Sequence, residues 1–177
     1  SSISADLHKY GYASKGASTV FFRNEALKAF MRFDAGPWPL GRMITPTLAG
    51  TRPGGAIAAA WAVIHFLGVE GYRKKQAMVT QAREKIEAGV KRLGFDVLGA
   101  PQLGIVSFAH PKADTFALLG KLHQRGWITG VNLEPKALHL MLSPVHLEAS
   151  EIYLADLEWA LGEVGEKAGA VRSVYGA

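Results

Sequence analysis

The most informative stretch of this sequence is residues 4–18, which read SADLHKYGYASKGAS. Within it Lys9 directly follows His8, just before a segment, 17–23, whose β-branched and aromatic residues predict a strand. A buried lysine can be held neutral, and its amine can then form a Schiff base with an aldehyde. The simpler alternative is a solvated loop lysine, the usual state of this residue type. The residues alone leave both interpretations open.

Composition excludes several other classes of protein. The chain has 177 residues, of which 49% are hydrophobic and 20% charged, so it can form a packed core and is not disordered. Twenty Lys and Arg against fifteen Asp and Glu give a net charge of +5, but the excess is spread out, so we expect no nucleic-acid partner. The absence of cysteine excludes disulfides, thiolate metal sites and cysteine nucleophiles. The histidines lack metal-ligand spacing, and we expect no metal.

The beginning of the chain and its longest apolar run bear on how much of a protein this is. The sequence opens at Ser1 without an initiator methionine or a signal peptide, so we expect it to be part of a longer protein. The apolar run, residues 54–69, contains His65 and is rich in Ala and Gly. We interpret it as a buried helix, too short for a membrane segment.

The chain divides in our interpretation at the break 68–71. Residues 1–71 contain one clear strand, a short helix candidate, a Pro- and Gly-rich irregular loop over 34–53 and the apolar helix. These are too few for a domain, so we expect them to complete a larger domain whose main part precedes Ser1. Residues 72–177 predict the order α-β-β-α-β-β-α, a small domain of three helices over a mainly antiparallel sheet.

Three blocks of sequence carry a resemblance to a known family. The first is the stretch 4–18, the second is TPTLAGTRPGG at 45–55, and the third, weak by itself, is Val174-Tyr175-Gly176. With these blocks the chain resembles the pyridoxal-phosphate (PLP) enzymes of fold type I in the group II decarboxylase superfamily, most closely the sphingosine-1-phosphate lyases. The resemblance covers essentially the whole chain. It implies an α/β fold in which residues 1–71 end the large PLP-binding domain and residues 72–177 are the small C-terminal domain.

The resemblance implies roles for three residues of the first block. Lys9 would form the Schiff base with PLP, and His8 would lie at the cofactor phosphate. Lys15 matches a second lysine typical of the lyases, which would bind the substrate's phosphate or take part in proton transfer at its hydroxyl. A structural histidine and a surface lysine are the alternatives for His8 and Lys15. Relatives often have Pro where this chain has Ser14, which we expect to alter loop stiffness only.

The second block implies a phosphate contact. Backbone N–H groups of a Gly-rich turn before a helix can hold a phosphate, and in the family this loop, here Gly50-Thr51, reaches the PLP phosphate of the partner subunit. Thr51 stands where Ser is usual and keeps the hydroxyl. A helix-capping turn is the alternative interpretation. For Arg52 we consider an ion pair or a substrate contact.

These resemblances lead to one main function and two alternatives. The main one is PLP-dependent retro-aldol cleavage of a phosphorylated amino alcohol to an aldehyde and phosphoethanolamine. The second is an amino-acid decarboxylase acting on glutamate, aspartate or tyrosine, which would share Lys9 but generally lack Lys15. The third is a non-catalytic packing or dimerisation fragment. Because the ring-stacking partners of PLP would lie upstream, we expect this chain alone to be inactive and to bind PLP weakly or not at all.

The expected partners follow from the same resemblance. We expect a homodimer with the active site at the subunit interface, the remaining N-terminal part of the same protein, and a small phosphorylated amine as substrate. We expect no membrane segment in this part and a cytoplasmic location.

Overall fold

The structure is a computed structural model that describes residues 1–47 and 50–164. The third sequence block, at 174–176, and Leu48 and Ala49 of the second lie outside the described residues. The chain divides into two compact units, Ser1–Gly71 and Tyr72–Ala177. That the first unit completes a larger domain stays a prediction.

The first unit consists of two β-hairpins and a short helical segment. Strands β1 and β2 pair in an antiparallel hairpin in which Ser2 lies opposite Phe22 and Asp6 opposite Ser18. The elements are β1 (Ser2–Asp6), β2 (Ser18–Phe22), α1 (Glu25–Lys28), a 3-10 turn (Ala29–Met31), β3 (Phe33–Ala35) and β4 (Met43–Thr45). The strand predicted at 17–23 is confirmed as β2, whereas β1 was not predicted. β3 and β4 form a short antiparallel pair inside the segment predicted to be irregular.

Helix α2 (Gly54–Arg92) begins in the first unit and ends in the second. The predicted break between two helices at 68–71 is confirmed at Gly68, where α2 is kinked and the backbone leaves the helical conformation at φ 57° and ψ −175°. Such a φ is open to glycine at little cost. Within the described residues α2 is the one helix long and apolar enough to cross a membrane, a test that core helices of soluble proteins also pass.

The first half of α2 is not buried within its unit, contrary to the prediction. Ala60 is buried, but Trp61 is 65% and Phe66 87% exposed. The physical reason is that two hairpins and one short helical turn cannot surround an apolar helix. Its composition predicts contacts on every side, which this unit does not supply.

The second unit confirms the predicted order of elements. Its four strands form one antiparallel sheet in the order β5-β6-β8-β7. The elements that follow α2 are β5 (Asp96–Val97), β6 (Ile105–Ala109), α3 (Thr115–Gln124), β7 (Gly130–Leu133), β8 (Lys136–Met141) and α4 (His146–Glu163). Asp114 caps α3, because its side chain accepts a hydrogen bond from Ala117 N at 2.8 Å.

One face of the second half of α2 forms the core of this unit with the sheet and α4. The buried residues of α2 that recur at helical spacing are Val79, Ala82, Ile86 and Val90. They belong to one cluster with Phe108, Leu138 and Leu157. At Gly89 the two helices come so close that an added Cβ would lie 2.3 Å from Leu154 Cδ1.

Candidate active site

Both lysines predicted to be functional lie in one loop, residues 7–17, between β1 and β2. The start of this loop is a tight turn that places Lys9 directly after β1. Lys9 N donates to Asp6 O at 3.1 Å, Tyr12 N to Lys9 O at 2.9 Å, and Ala13 N to Leu7 O at 2.9 Å. These backbone bonds hold the segment that carries His8 and Lys9.

Two residues of the turn have conformations that the sequence did not reveal. A Cβ on Gly11 would lie 2.4 Å from Leu7 O and 2.8 Å from Leu7 Cα, so only glycine fits there without movement of the backbone. Tyr12 has a φ of 57°, in the left-handed region that few residues other than glycine occupy. The turn therefore has a defined and locally costly geometry next to Lys9.

Asp6, which the sequence analysis did not single out, is the centre of the polar contacts around Lys9. Lys9 Nζ lies 3.3 Å and His8 Nε2 4.0 Å from Asp6 Oδ2, while Ser18 Oγ donates to Asp6 Oδ1 at 2.5 Å. The pKa of the Asp6 carboxyl is held below its usual value chiefly by the hydrogen bond from Ser18, and then by the bond from Lys9. A carboxylate three residues before a candidate lysine is the signal that could have identified it.

The environments of Lys9 and His8 differ. The Lys9 side chain is 68% exposed, so the burial assumed in the sequence argument is not found within the described residues. The His8 side chain is 23% exposed, and its Nδ1 is buried with no hydrogen-bond partner among the residues that the structure describes. A buried ring nitrogen without a partner is suited to bind a polar group that this chain does not supply. This orphan atom beside a primary amine fits an aldehyde cofactor that carries an anionic group.

Lys15 is exposed and lies later in the same loop. No ion pair to Lys15 is found in the described parts of the chain. The adjacent Gly16 has a φ of 109°, and a Cβ there would lie 3.1 Å from Ala56 Cβ. The loop therefore passes close to the first turn of α2.

The Gly50-Thr51 turn immediately precedes that first turn of α2. Gly50 has a φ of 63°, and its N donates to Thr47 O at 3.3 Å. Arg52 Nη2 donates to Thr47 Oγ1 at 2.6 Å, so its partner is a hydroxyl and not an acid. Among residues 1–47 and 50–71 no hydrogen bond or ion pair joins this turn to Lys9. The structure thus brings together His8, Lys9 and Asp6, and leaves Gly50 and Thr51 outside that cluster.

The described residues contain no group of three or more His, Cys, Asp or Glu side chains that could hold a metal ion. The Lys9 cluster offers an amine, a carboxylate and an imidazole. An amine can bond a carbonyl carbon, and the imidazole can bind an anion or a hydrogen-bonding group.

Comparison with known proteins agrees with the chemistry of this cluster. No protein-family model matches the chain. Sphingosine-1-phosphate lyase from Arabidopsis thaliana is 34% identical over 181 residues, which cover 99% of this chain and 33% of that protein. The structure of a sphingosine-1-phosphate lyase from Burkholderia pseudomallei matches with a TM-score of 0.86 at 31% identity, over 93% of this chain and 38% of that one. The chain is homologous to the sphingosine-1-phosphate lyases.

The chain is also similar to decarboxylases. A probable L-tyrosine/L-aspartate decarboxylase from Methanothermobacter thermautotrophicus is 33% identical over 159 residues, 89% of this chain and 43% of that protein. Glutamate decarboxylase from Lactobacillus brevis matches with a TM-score of 0.68 at 19% identity, over 96% of this chain and 42% of that one, which shows a shared fold alone. The predicted fold type I of PLP-dependent enzymes is confirmed. The chain spans about a third of the length of the lyases it matches.

Proposed function

We propose that the protein carrying this chain is a PLP-dependent carbon–carbon lyase. It cleaves a phosphorylated amino alcohol of the sphingosine-1-phosphate type to an aldehyde and phosphoethanolamine. The observation that carries the proposal is the turn that presents Lys9 and the orphan His8 Nδ1 side by side, in a chain similar over 99% of its length to a sphingosine-1-phosphate lyase.

The residues of this chain have separate tasks in the proposed enzyme. When bound, PLP supplies an electron sink adjacent to the substrate nitrogen. Lys9 provides the primary amine that bonds the cofactor's carbonyl carbon, and His8 offers the unpartnered Nδ1 to its phosphate. Gly50 shapes the turn before α2, where an anion is favoured, and Thr51 provides a backbone N–H and a hydroxyl for the cofactor phosphate of the neighbouring subunit.

Lys15 is the residue proposed to act on the substrate. Its exposed side chain has no acidic partner among the described residues, so its charge is available to a ligand. As a cation it would bind the substrate's phosphate, and as a neutral amine it would remove the proton from the hydroxyl of the amino alcohol. Removal of this proton leaves an oxyanion that becomes the aldehyde as the adjacent carbon–carbon bond breaks. The electron pair of that bond stays with the amine-bearing carbon, which then takes up a proton to give phosphoethanolamine.

Further parts of the protein are needed to complete this site. The lyases it matches are about three times as long as this chain, and the first half of α2 exposes large apolar side chains such as Trp61 and Phe66. Exposed apolar surface of this kind is typical of an interface. We propose that the rest of the protein and a second subunit cover it in a homodimer with the active site at the subunit interface. Cytoplasmic localisation stays a prediction.

Reductive trapping tests the role of Lys9. The whole protein that carries this sequence is incubated with PLP, reduced with borohydride and digested, and the modified peptide is identified by mass spectrometry. We expect the label on Lys9, and we expect Lys9→Arg to lose both the label and turnover. Lys28→Arg is the matched control, because Lys28 forms an ion pair of the same spacing and length, 3.3 Å to Glu25, away from the site. A label confined to another lysine, or no label, would refute the proposal.

A decarboxylase is the second candidate, and the similarity to the archaeal decarboxylase favours it. Turnover distinguishes the two activities. Release of CO₂ from glutamate, aspartate or tyrosine, without aldehyde from a phosphorylated sphingoid base, would reject the lyase. Lys15→Ala separates them further, because the lyase is expected to lose cleavage with this variant whereas a decarboxylase would keep its activity.

The third candidate, a non-catalytic fragment, concerns the 177-residue chain by itself. We expect this chain alone to bind PLP weakly or not at all, measured as the absorbance of the lysine-bound cofactor near the visible range. Strong absorbance from the isolated chain would contradict this expectation.

A further inference from the structure

We propose that Asp6 is the positioning residue for Lys9, and that its carboxylate, tied to β2 by Ser18, fixes the Lys9 amine at the base of the loop. The inference rests on the proposed function, in which Lys9 is the lysine that bonds PLP. It adds a residue that the sequence analysis gave no role.

The two oxygens of Asp6 have different partners. Oδ1 accepts the hydrogen bond from Ser18 at 2.5 Å, whereas Oδ2 faces Lys9 Nζ at 3.3 Å and His8 Nε2 at 4.0 Å. Because Asp6 and Ser18 are cross-strand partners, this bond closes the base of the loop 7–17. The bond also fixes the rotation of the carboxylate, so that its second oxygen points toward Lys9.

Lys9 needs such a partner because little else holds its side chain. The side chain is 68% exposed, and a long exposed lysine side chain samples many rotamers. Asp6 is the only acid that contacts it among the described residues. By restricting the free Lys9 side chain to a few rotamers beside the turn, the carboxylate lowers the entropy cost of bonding the amine to the cofactor.

The pair Glu25–Lys28 shows what distinguishes Asp6. Its spacing in sequence and its distance, 3.3 Å, are the same as those of Asp6–Lys9. However, Glu25 is 87% exposed and Asp6 30% exposed, and among the described contacts Glu25 has no second side chain that fixes its carboxylate. Glu25–Lys28 is thus a surface ion pair, whereas Asp6 is anchored on the opposite strand.

The test measures how much cofactor is trapped on Lys9 at a PLP concentration below saturation, in the whole protein. Exposed ion pairs contribute at most about fivefold to an equilibrium. We therefore expect Asp6→Asn, which keeps the shape and removes the charge, to lower the trapped fraction on Lys9 about two- to fivefold. Asp6→Glu is expected to restore part of it, which a purely structural role of this position would not predict. Ser18→Ala, which keeps the charge but frees the carboxylate, is expected to give an intermediate loss.

Two controls separate positioning from general stability. Glu25→Gln removes the matched surface pair, and Thr19→Val removes the neighbouring hydrogen bond from Thr19 Oγ1 to Ala5 O, 2.8 Å, in the same hairpin. Both are expected to leave the trapped fraction unchanged. Should Asp6→Asn fail to fold, Ser18→Ala and Asp6→Glu still carry the test.

The outcomes distinguish this inference from the proposed function. If the unaltered protein is not labelled on Lys9, the proposed function itself fails. If Lys9 is labelled and the Asp6 and Ser18 variants retain the full trapped fraction, the positioning role is overturned while the proposed function stands. An equal loss with Thr19→Val would also overturn it, because the effect would then come from the hairpin as a whole.

Discussion

Gly11→Ala is the perturbation that tests the turn geometry most directly. The added Cβ would lie 2.4 Å from Leu7 O, about 0.6 Å inside the 3.0 Å limit that real Cβ contacts respect. The crowded atoms belong to the Leu7 backbone, so no side-chain rotation can relieve the contact. The segment between Leu7 and Gly11 must therefore open, and this segment carries His8 and Lys9.

The size of the effect follows from that displacement. Overpacking of this kind costs about 1–3 kcal/mol of unfolding free energy. A displacement of about 1 Å in a reacting group can reduce the rate by roughly 100-fold. For about 0.6 Å we expect a loss of roughly tenfold or more in kcat/KM for cleavage of a phosphorylated sphingoid base.

The assay combines steady-state release of aldehyde with urea unfolding of the whole protein. Gly36→Ala is the matched control, because a Cβ there meets nothing within 4 Å and Gly36 has no positive φ. We expect this control to keep both kcat/KM and the unfolding midpoint. If Gly11→Ala also kept kcat/KM within about twofold and left the urea midpoint unchanged, the described turn would not be the geometry that the enzyme uses.

Three further predictions concern stability and titration. Asp114→Ala removes the acceptor for Ala117 N and should cost about 1 kcal/mol in urea unfolding, most of which Asp114→Ser should restore; an unchanged midpoint would contradict the cap. Burial raises the pKa of the Tyr153 phenol above its usual 10, so the stabilising contribution of the neutral phenol is present below pH 10 and is lost as the pH rises. Tyr153→Phe should therefore reduce the fall of the urea midpoint between about pH 9 and 11. A fall as large as that of the unaltered protein would contradict this. The hydrogen bond from Ser18 holds the pKa of Asp6 below 3.8, so the contribution of the Asp6 carboxylate to stability is present above pH 3.8 and is lost as the pH falls through the lower folded value. Ser18→Ala should move the NMR titration midpoint of the Asp6 carboxyl back toward 3.8, and an unmoved midpoint would exclude this hydrogen bond as the cause.

The second unit could be predicted because its signals are local. Val79, Ala82, Ile86 and Val90 repeat at helical spacing, and Asp114 precedes a helix that it caps. These patterns depend on neighbours within a few residues, so the sequence alone contains them.

The first unit was less predictable because its structure depends on distant or missing partners. The first four residues of β1 are all exposed, and β1 is a strand because β2 pairs with it from the other side of the loop. The apolar composition of the first half of α2 predicts burial, but this half is largely exposed because the unit has too few residues to surround it. The composition of a helix indicates that it favours burial, but the surface that buries it must come from other residues.

The candidate site, too, could be predicted from the sequence only in part. Residue type and resemblance predicted roles for His8, Lys9 and Lys15, which stay predictions, but they did not reveal the contact of Asp6 with Lys9 and His8. That contact depends on a turn that folds back on β1 and on a serine opposite in the hairpin, both of which are properties of three-dimensional register. Gly50 and Thr51 were identified by pattern, and their role toward a cofactor phosphate stays a prediction.

The amines of Lys9 and Lys15 lie on a single loop, and this placement has a consequence for how the proposed activity can evolve. Lys9 and Lys15 are separated by five residues of one continuous connection whose two ends are pinned by paired strands. Under the proposed function, a mutation that bends or lengthens this connection would shift cofactor attachment and substrate binding together, so neither could evolve independently of the other. Conversely, residues 7–17 could be exchanged between relatives as one segment. A change in the preferred substrate could then arise in one evolutionary step, without any alteration of the paired strands β1 and β2.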